Sequence, residues 1–377
     1  MRSVMPLPSP YSKDVLPETI KSRFLEDING LTFHILEAGE NDPTRPLVLL
    51  LHGFPELAFS WRKVMPILAG HGYYVIAPDQ RGYGRTIGWN NEYNTDLTNF
   101  RLLNVVRDIL GILQRIGRKK VEAVVGHDFG ASVAAYLALI RPDVFRSMVL
   151  MSAPFSGPPS RDQKKSDRIH TDLKNLARSR KHYQWYYSTR EANGDMSNCN
   201  QGVHDFLRAY FHHKSSDWSH NKPHLLTSWS ADELAKMPTY YIMDFERDMA
   251  ETVSLEMPSL NQIAGNLWLS EQELQVYSNE YKRTGFQGGL NWYRCRTNGI
   301  NDELDVFSGL TIDVPSCFIS GAADWGVYQV PGALKAMQKF VCRDLRGFHI
   351  VPGAGHWVQQ EQASEVNRHL LNFLSLL

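Results

Sequence analysis

An α/β fold, with a mostly parallel sheet flanked by helices and a helical insertion between two of its strands, follows from three features of the sequence. Short, largely apolar runs recur at residues 47–51, 73–77, 121–125, 147–151 and 314–320, the pattern of strands buried on both faces. Helical patterns lie between them, the rhythm of parallel strands joined by crossover helices. From residue 156 to about 309 that rhythm stops, and the chain becomes rich in charge, aromatic residues and helical periodicity. The expected division is a lead-in of residues 1–25, a core of 26–155 and 310–377, and a cap, or lid, of 156–309. The 377 residues are ample for both units.

Residues 1–25 read as an irregular segment containing Pro and Ser. Residues 31–37 alternate as an early strand, and 41–46 carry turn chemistry. The run 47–51 ends at His52-Gly53, and 61–68 suit a short helix. The strand at 73–77 stops at Pro78-Asp79. The loop Gln80-Arg81-Gly82-Tyr83-Gly84-Arg85 has neither a Gly-x-Gly-x-x-Gly pattern nor a Walker lysine, so it reads as an ordered structural loop. Residues 98–116 present a Leu/Val/Ile face and end near Arg115, Arg118 and Lys119, cations that suit a helix C-terminus. In the insertion, 166–180 and 270–282 are helical in pattern. A helix at 333–340, a strand at 349–351 and a last helix at 361–373 restore the α/β rhythm.

The chemistry centres on Val124-Val125-Gly126-His127-Asp128-Phe129-Gly130-Ala131-Ser132. A buried strand, a tight Gly-x-Asp-x-Gly turn and an Ala-rich helix reproduce the layout of a nucleophile elbow, with Asp128 where serine usually stands. Serine must lose a proton, and its attack on saturated carbon would leave a stable ether. A carboxylate is ionised at neutral pH, its ordinary pKa being about 4. Its attack on saturated carbon gives an ester that a second step can hydrolyse. Asp128 therefore points to displacement at sp³ carbon in epoxides or alkyl halides, and away from esterase, lipase or protease chemistry.

Three further turns follow strands. His52-Gly53-Phe54-Pro55-Glu56 places the Phe54 N–H beside that of Phe129, a candidate oxyanion hole. Ser320-Gly321-Ala322-Ala323-Asp324 supplies an acid, and Pro352-Gly353-Ala354-Gly355-His356-Trp357 a base. Strand carboxyl ends are where sites form in open α/β sheets. The chain order Asp128, Asp324, His356 is the nucleophile–acid–histidine order of this layout. Asp305 and Asp313 are rival acids, but they precede the strand and belong to its other end.

Taken together, His52-Gly53-Phe54-Pro55-Glu56, Asp79-Gln80-Arg81-Gly82-Tyr83-Gly84, Gly126-His127-Asp128-Phe129-Gly130, Gly355-His356-Trp357 and Gly285-Phe286-Gln287-Gly288-Gly289-Leu290-Asn291-Trp292-Tyr293-Arg294 resemble the soluble epoxide hydrolases of the α/β-hydrolase superfamily. The resemblance spans nearly everything after residue 25. It implies a cis bond between Phe54 and Pro55, and two cap tyrosines that polarise the epoxide oxygen. An alkoxide leaving group is strongly basic, and a phenol with a pKa of about 10 can donate to it. The resemblance places the first at Tyr293. The second is assigned to Tyr183 in Lys181-His182-Tyr183-Gln184-Trp185-Tyr186, with Tyr186 and Tyr187 as rivals. His52, Pro55, Trp185, Trp292 and Trp357 are candidates for the pocket wall. Phe129 departs from the family, where Trp often follows the nucleophile. Residues 193–260 match no pattern.

Formal net charge is zero, so no strong field draws the chain to nucleic acid or anionic lipid. Four cysteines without metal or redox spacing suit reduced thiols in a cytoplasmic protein. No run reaches membrane-spanning length, no signal peptide is expected, and the terminal Ser-Leu-Leu lacks the lysine of a peroxisomal address. His-Glu-x-x-His is absent and His212-His213 are adjacent, so neither metal nor cofactor is expected. The expected activity is hydrolysis of a hydrophobic epoxide by a monomer or homodimer. The alternatives are a dehalogenase using the same nucleophile and a receptor built on a hydrolase fold.

Overall fold

The apolar runs form the centre of one eight-stranded sheet. In the computed structural model, which describes residues 7–40, 42–160 and 168–377, the strands are β1 (Lys21–Ile28), β2 (Leu31–Ala38), β3 (Leu47–Leu51), β4 (Tyr74–Pro78), β5 (Ala123–His127) and β6 (Met148–Met151). A two-stranded ribbon of β7 (Arg180–His182) and β8 (Ile242–Asp244) stands apart, and β9 (Ser316–Gly321) and β10 (Leu345–Val351) complete the sheet. The order is β1-β2-β4-β3-β5-β6-β9-β10. β1 and β2 are antiparallel to each other and β2 to β4; the rest of the sheet is parallel. β3 and β5 are buried along their whole length, each large apolar side chain contributing roughly 1.5–3 kcal/mol.

Helices α1 (Met65–Gly70), α2 (Leu102–Arg115) and α3 (Phe129–Ile140) cover the sheet. α2 buries Val105, Val106, Ile109, Ile112 and Leu113 on one face. Between β6 and β9 the chain leaves the sheet for α4 (Ile169–Lys174), α5 (Tyr183–Tyr186), α6 (Glu191–Ser197), α7 (Gly202–Lys214), α8 (Ala231–Leu234), α9 (Met249–Ser254), α10 (Leu260–Gly265), α11 (Glu271–Thr284) and α12 (Gln287–Thr297). α13 (Ala333–Ala336), α14 (Val358–Glu361) and α15 (Ala363–Leu374) follow β9. α9, α10 and α11 each begin with a reciprocal capping box, from Asp248–Glu251, Ser259–Gln262 and Ser270–Glu273. Among the described residues no helix is long and apolar enough to cross a membrane.

Several elements differ from the sequence reading. The lead-in ends at residue 20, because residues 21–25 already belong to β1. Asn29 and Gly30, both at positive φ (49° and 78°), turn β1 onto β2, as Asn-Gly hairpins do. The helical pattern at 166–180 shrinks to α4 followed by β7; residues 166 and 167 lie outside the described residues, as do 1–6 of the lead-in and Asn41 of the predicted turn. β10 begins four residues before the predicted strand. The 61–68 helix divides into a 3₁₀ turn at Ala58–Trp61 and α1. The final helix breaks at Gln362, whose ψ of 54° is not helical.

The glycine-rich loop after β4 is indeed structural. Arg81 donates twice to Asp108 on α2, both at 2.7 Å, and also reaches the Asn29 carbonyl at 3.2 Å. The Arg81 carbonyl accepts the Trp292 indole N–H at 2.9 Å. One buried ion pair therefore joins the β1–β2 turn, α2 and the cap. Breaking such a pair from one side costs about 3–5 kcal/mol, because the remaining charge stays buried. Asp108→Ala should lower the unfolding free energy by about that amount, read as a shift of the urea midpoint at unchanged slope.

Candidate active site

Asp128 stands between β5 and α3 with φ 53° and ψ −117°, a conformation that costs a non-glycine residue about 1–3 kcal/mol. Close packing holds it there. A Cβ at Gly126 would strike the Gly130 carbonyl, and one at Gly130 the Leu51 carbonyl. The Asp128 N–H donates to Met151 O at 3.3 Å, and its own carbonyl accepts from Ala131 at 3.1 Å. The side chain, 12 % exposed, is thereby lifted over the carboxyl edge of the sheet.

Its Oδ1 accepts the Phe54 N–H at 3.1 Å. Phe54 precedes a cis proline, as the resemblance implied. The Phe129 N–H makes no hydrogen bond to this carboxylate; the Phe129 ring packs on Tyr293, with centroids 4.6 Å apart. Oδ2 lies 3.4 Å from His356 Nε2, without hydrogen-bond geometry, so that nitrogen has no hydrogen-bond partner among the described residues. On the other side, His356 Nδ1 faces Asp324 Oδ1 at 3.1 Å. Asp324 is fixed in turn by the Gly326 N–H at 2.7 Å and the Ser320 hydroxyl at 3.2 Å. The three groups named from the strand-end turns thus meet. Asp313 is 72 % exposed and pairs only loosely with Arg343.

Burial alone would raise the Asp128 pKa, but His356, Lys214 and His127 outweigh it and hold the carboxyl below its ordinary range. Asp324 behaves likewise: burial raises it, and His356 with the Gly326 N–H brings it down. Lys214, the last residue of α7, is buried, with its ammonium 4.9 Å from the Tyr241 ring centre and 5.4 Å from that of Trp357. Burial lowers its pKa, while Asp128, Asp324 and Glu56 pull it up. His127 places Nδ1 2.5 Å from Glu56 and Nε2 2.7 Å from the His356 carbonyl. Both ring nitrogens face acceptors, which the imidazolium form satisfies. Burial lowers the His127 pKa, but Glu56 more than reverses this.

The cap brings its tyrosines above this carboxylate. Tyr183 and Tyr293 rings are 5.8 Å apart. The Tyr183 hydroxyl donates to Gln329 Oε1 at 3.2 Å and accepts from Gln184 at 3.0 Å. The Tyr293 hydroxyl has no hydrogen bond among the described residues. Burial above all raises the pKa of both phenols, followed by the charge of Asp128 at Tyr183 and by Tyr183 and then Asp128 at Tyr293. The rivals are committed elsewhere: Tyr186 donates to Asp195 at 2.8 Å and Tyr187 to Tyr210 at 3.2 Å.

A cleft of about 400 Å³ lies beside this group, lined by Phe129, next to Asp128, and by Gln329, the partner of Tyr183, together with Trp292, Tyr136, Phe155 and Arg296 among others. Of the five pocket-wall candidates, Trp292 alone lines it. His52 is fully buried, its Nδ1 on Gly53 O and its Nε2 accepting the Gln80 N–H; it fixes the turn after β3. Pro55 is buried in the same turn. Trp357 is buried and donates to Phe211 O at 2.8 Å. Trp185 packs on His170 and His182, with centroids 3.8 and 4.8 Å away. Lys214 and Gln329 carry no sequence signal; nothing local marks them. Among the described residues no group of three or more His, Cys, Asp or Glu side chains is arranged to hold a metal ion.

The alpha/beta hydrolase fold family matches residues 46–363. The chain is 32% identical over 357 residues to epoxide hydrolase B of Mycobacterium tuberculosis, covering 92% of this chain and 96% of that one. Among solved structures, potato (Solanum tuberosum) epoxide hydrolase I superposes with a TM-score of 0.73 at 30% identity, over 95% of this chain and 100% of that one. An epoxide hydrolase from an endophytic Streptomyces gives 0.75 at 30%, over 95% and 96%. Fold, site geometry and these relatives agree: the chain belongs to the epoxide hydrolases of the α/β-hydrolase fold family.

Proposed function

We propose that the protein converts epoxides to vicinal diols through an ester on Asp128. The observation that carries this is the asymmetry of one carboxylate. Oδ1 is held by the Phe54 N–H, while Oδ2 faces the open nitrogen of His356 beneath two protonated phenols. Oδ2 attacks an epoxide carbon, the C–O bond breaks, and Tyr183 or Tyr293 gives the ring oxygen its proton. The products are a hydroxyalkyl ester and a tyrosinate.

His356 Nε2 then takes a proton from a water that adds to the ester carbonyl. Negative charge grows on Oδ1, where the Phe54 N–H receives it. Asp324 holds the imidazole in its tautomer and stabilises the imidazolium. The tetrahedral adduct collapses, and the imidazolium returns its proton to the departing alkoxide. The proton left on the Asp128 acid restores the phenol. Epoxide and water are consumed, one diol is released, and no cofactor takes part. In the cleft beside Phe129 and Trp292, the rings of Tyr136 and Phe155 offer apolar surface to a substituent on the epoxide, while Arg296, Asp302 and Gln329 line it with polar groups. A halide would find few donors here: Phe54 and Phe129 have no side-chain N–H, the Trp292 N–H is committed to Arg81, and Trp185 packs against His170 and His182 instead.

Intact mass on His356→Ala mixed with an epoxide panel should show an adduct of the full substrate mass, absent in Asp128→Asn. An adduct lighter by hydrogen halide, from a haloalkane panel alone, would replace this reading with dehalogenation. Ligand binding without any adduct would favour a receptor. Tyr293→Phe and Tyr183→Phe should each slow ester formation about 10²-fold, as loss of a general acid does, with release of the diol from a preformed ester little changed.

The pH dependence of ester formation follows from the same groups. Asp128, depressed, loses its nucleophilic form only as pH falls below its ordinary value. The phenols, raised, lose their protons only above the ordinary tyrosine pKa of about 10. Single-turnover ester formation should therefore be flat from about pH 5 to pH 9; an alkaline loss inside that window would contradict the assignment of the donors.

A further inference from the structure

The catalytic histidine is pinned through its neighbours by a side chain that touches no substrate. Glu361, at the end of α14, accepts the N–H of Gly355 on Oε2 at 2.9 Å and that of Trp357 on Oε1 at 2.9 Å. These residues flank His356. The same Oε2 accepts the N–H of Ser216 at 2.8 Å, two residues past the end of α7 in the cap. Between them, the His356 N–H donates to the Lys214 carbonyl at 2.9 Å. The loop lies flush on this cap segment: a Cβ at Gly355 would come within 2.6 Å of Lys214 O and 2.7 Å of Ser216 N. The His356 carbonyl is secured from the core by His127 at 2.7 Å and Ser152 at 3.1 Å.

We infer that Glu361 is a positioning residue that ties the His356 loop to the cap, and that it serves ester hydrolysis and not ester formation. The inference rests on the reading of His356 as the base. All three of its partners are backbone donors, so the carboxylate is the form they grip. Burial pushes the Glu361 carboxyl up to about 7 while the N–H donors draw it down, so pH 8 is a suitable condition for testing the gripped form. Ring opening needs Asp128 and the phenols; no proton passes through His356. Hydrolysis needs Nε2 poised over a water at the ester carbonyl, and a displacement of about 1 Å at such a centre costs on the order of 10²-fold. Glutamine at 361 has one acceptor where three donors converge, and its NH₂ would face one of them.

The test is rapid-quench intact mass at pH 8 with an epoxide that labels His356→Ala. In Glu361→Gln the ester should form within about threefold of the wild-type rate and decay about 10²-fold more slowly, so that most of the enzyme carries substrate mass during turnover. Glu361→Asp keeps the charge with a shorter reach and should decay at an intermediate rate; it decides the matter by the same criterion if Glu361→Gln does not fold. Glu365→Gln, at a half-buried carboxylate paired with Arg368 and outside the His356 loop, serves as control. Ester decay in Glu361→Gln within threefold of wild type, or equal slowing of both steps, overturns the role. If His356→Ala itself takes no mass from any epoxide, the epoxide-hydrolysis reading fails instead.

Discussion

In the proposed reaction a carboxylate attacks carbon from a nearly dry site, and for that it has to be kept ionised without being neutralised by a bonded cation. Three acidic side chains, Asp128, Asp324 and Glu56, converge here. Like charges about 4 Å apart repel by about 4 kcal/mol at the effective dielectric of a protein surface, and more in the interior. The opposing charge comes from His127 and Lys214, each placed differently. His127 is locked between Glu56 and a carbonyl. Lys214 makes no hydrogen bond or ion pair among the described residues and sits in a cage of rings, where a desolvated cation gains about 2 kcal/mol. It acts through space, leaving Asp128 free to react. His356 stays 3.4 Å away, without a hydrogen bond to Asp128.

The same requirement explains how cap and core are joined. The core carries Asp128 and His356, the proposed nucleophile and base; the cap carries Tyr183 and Tyr293, the proposed proton donors. Their separation must be held to a fraction of an ångström for proton donation to accompany ring opening. Joints on several sides do this. Trp292 is fastened to Arg81, Tyr277 meets Ser60 at 2.7 Å, and Arg62 reaches Glu273 at 2.7 Å. Gly82 and Gly288 approach so closely that neither has room for a Cβ. Near the base, the segment after α7 is sewn to the loop around His356 through Glu361. Lys214 belongs to that joint too: its carbonyl accepts the His356 N–H while its ammonium supplies charge.

The sequence by itself determined the order of strands and helices and the strand-end turns that carry Asp128, Asp324 and His356. These are local matters. A strand buried on both faces must be apolar throughout, and a turn as tight as that at Asp128 needs glycine on either side, so each leaves a mark within a few residues. The β1–β2 hairpin was marked equally well by Asn29-Gly30; its strand was hidden by Lys21, Arg23, Glu26 and Asp27 of β1, which break any alternation at the sheet edge. Tertiary structure alone decided which aromatic residues face the cleft. It buried His52 and Trp357 in structural contacts, packed Trp185 against His170 and His182, and left Trp292 on the wall. It also chose Lys214, Gln329 and Glu361, which approach the reacting groups from helices and loops far away in sequence. Their chemistry depends on what packs against them, and convergence of that kind leaves no local pattern of spacing or composition to read.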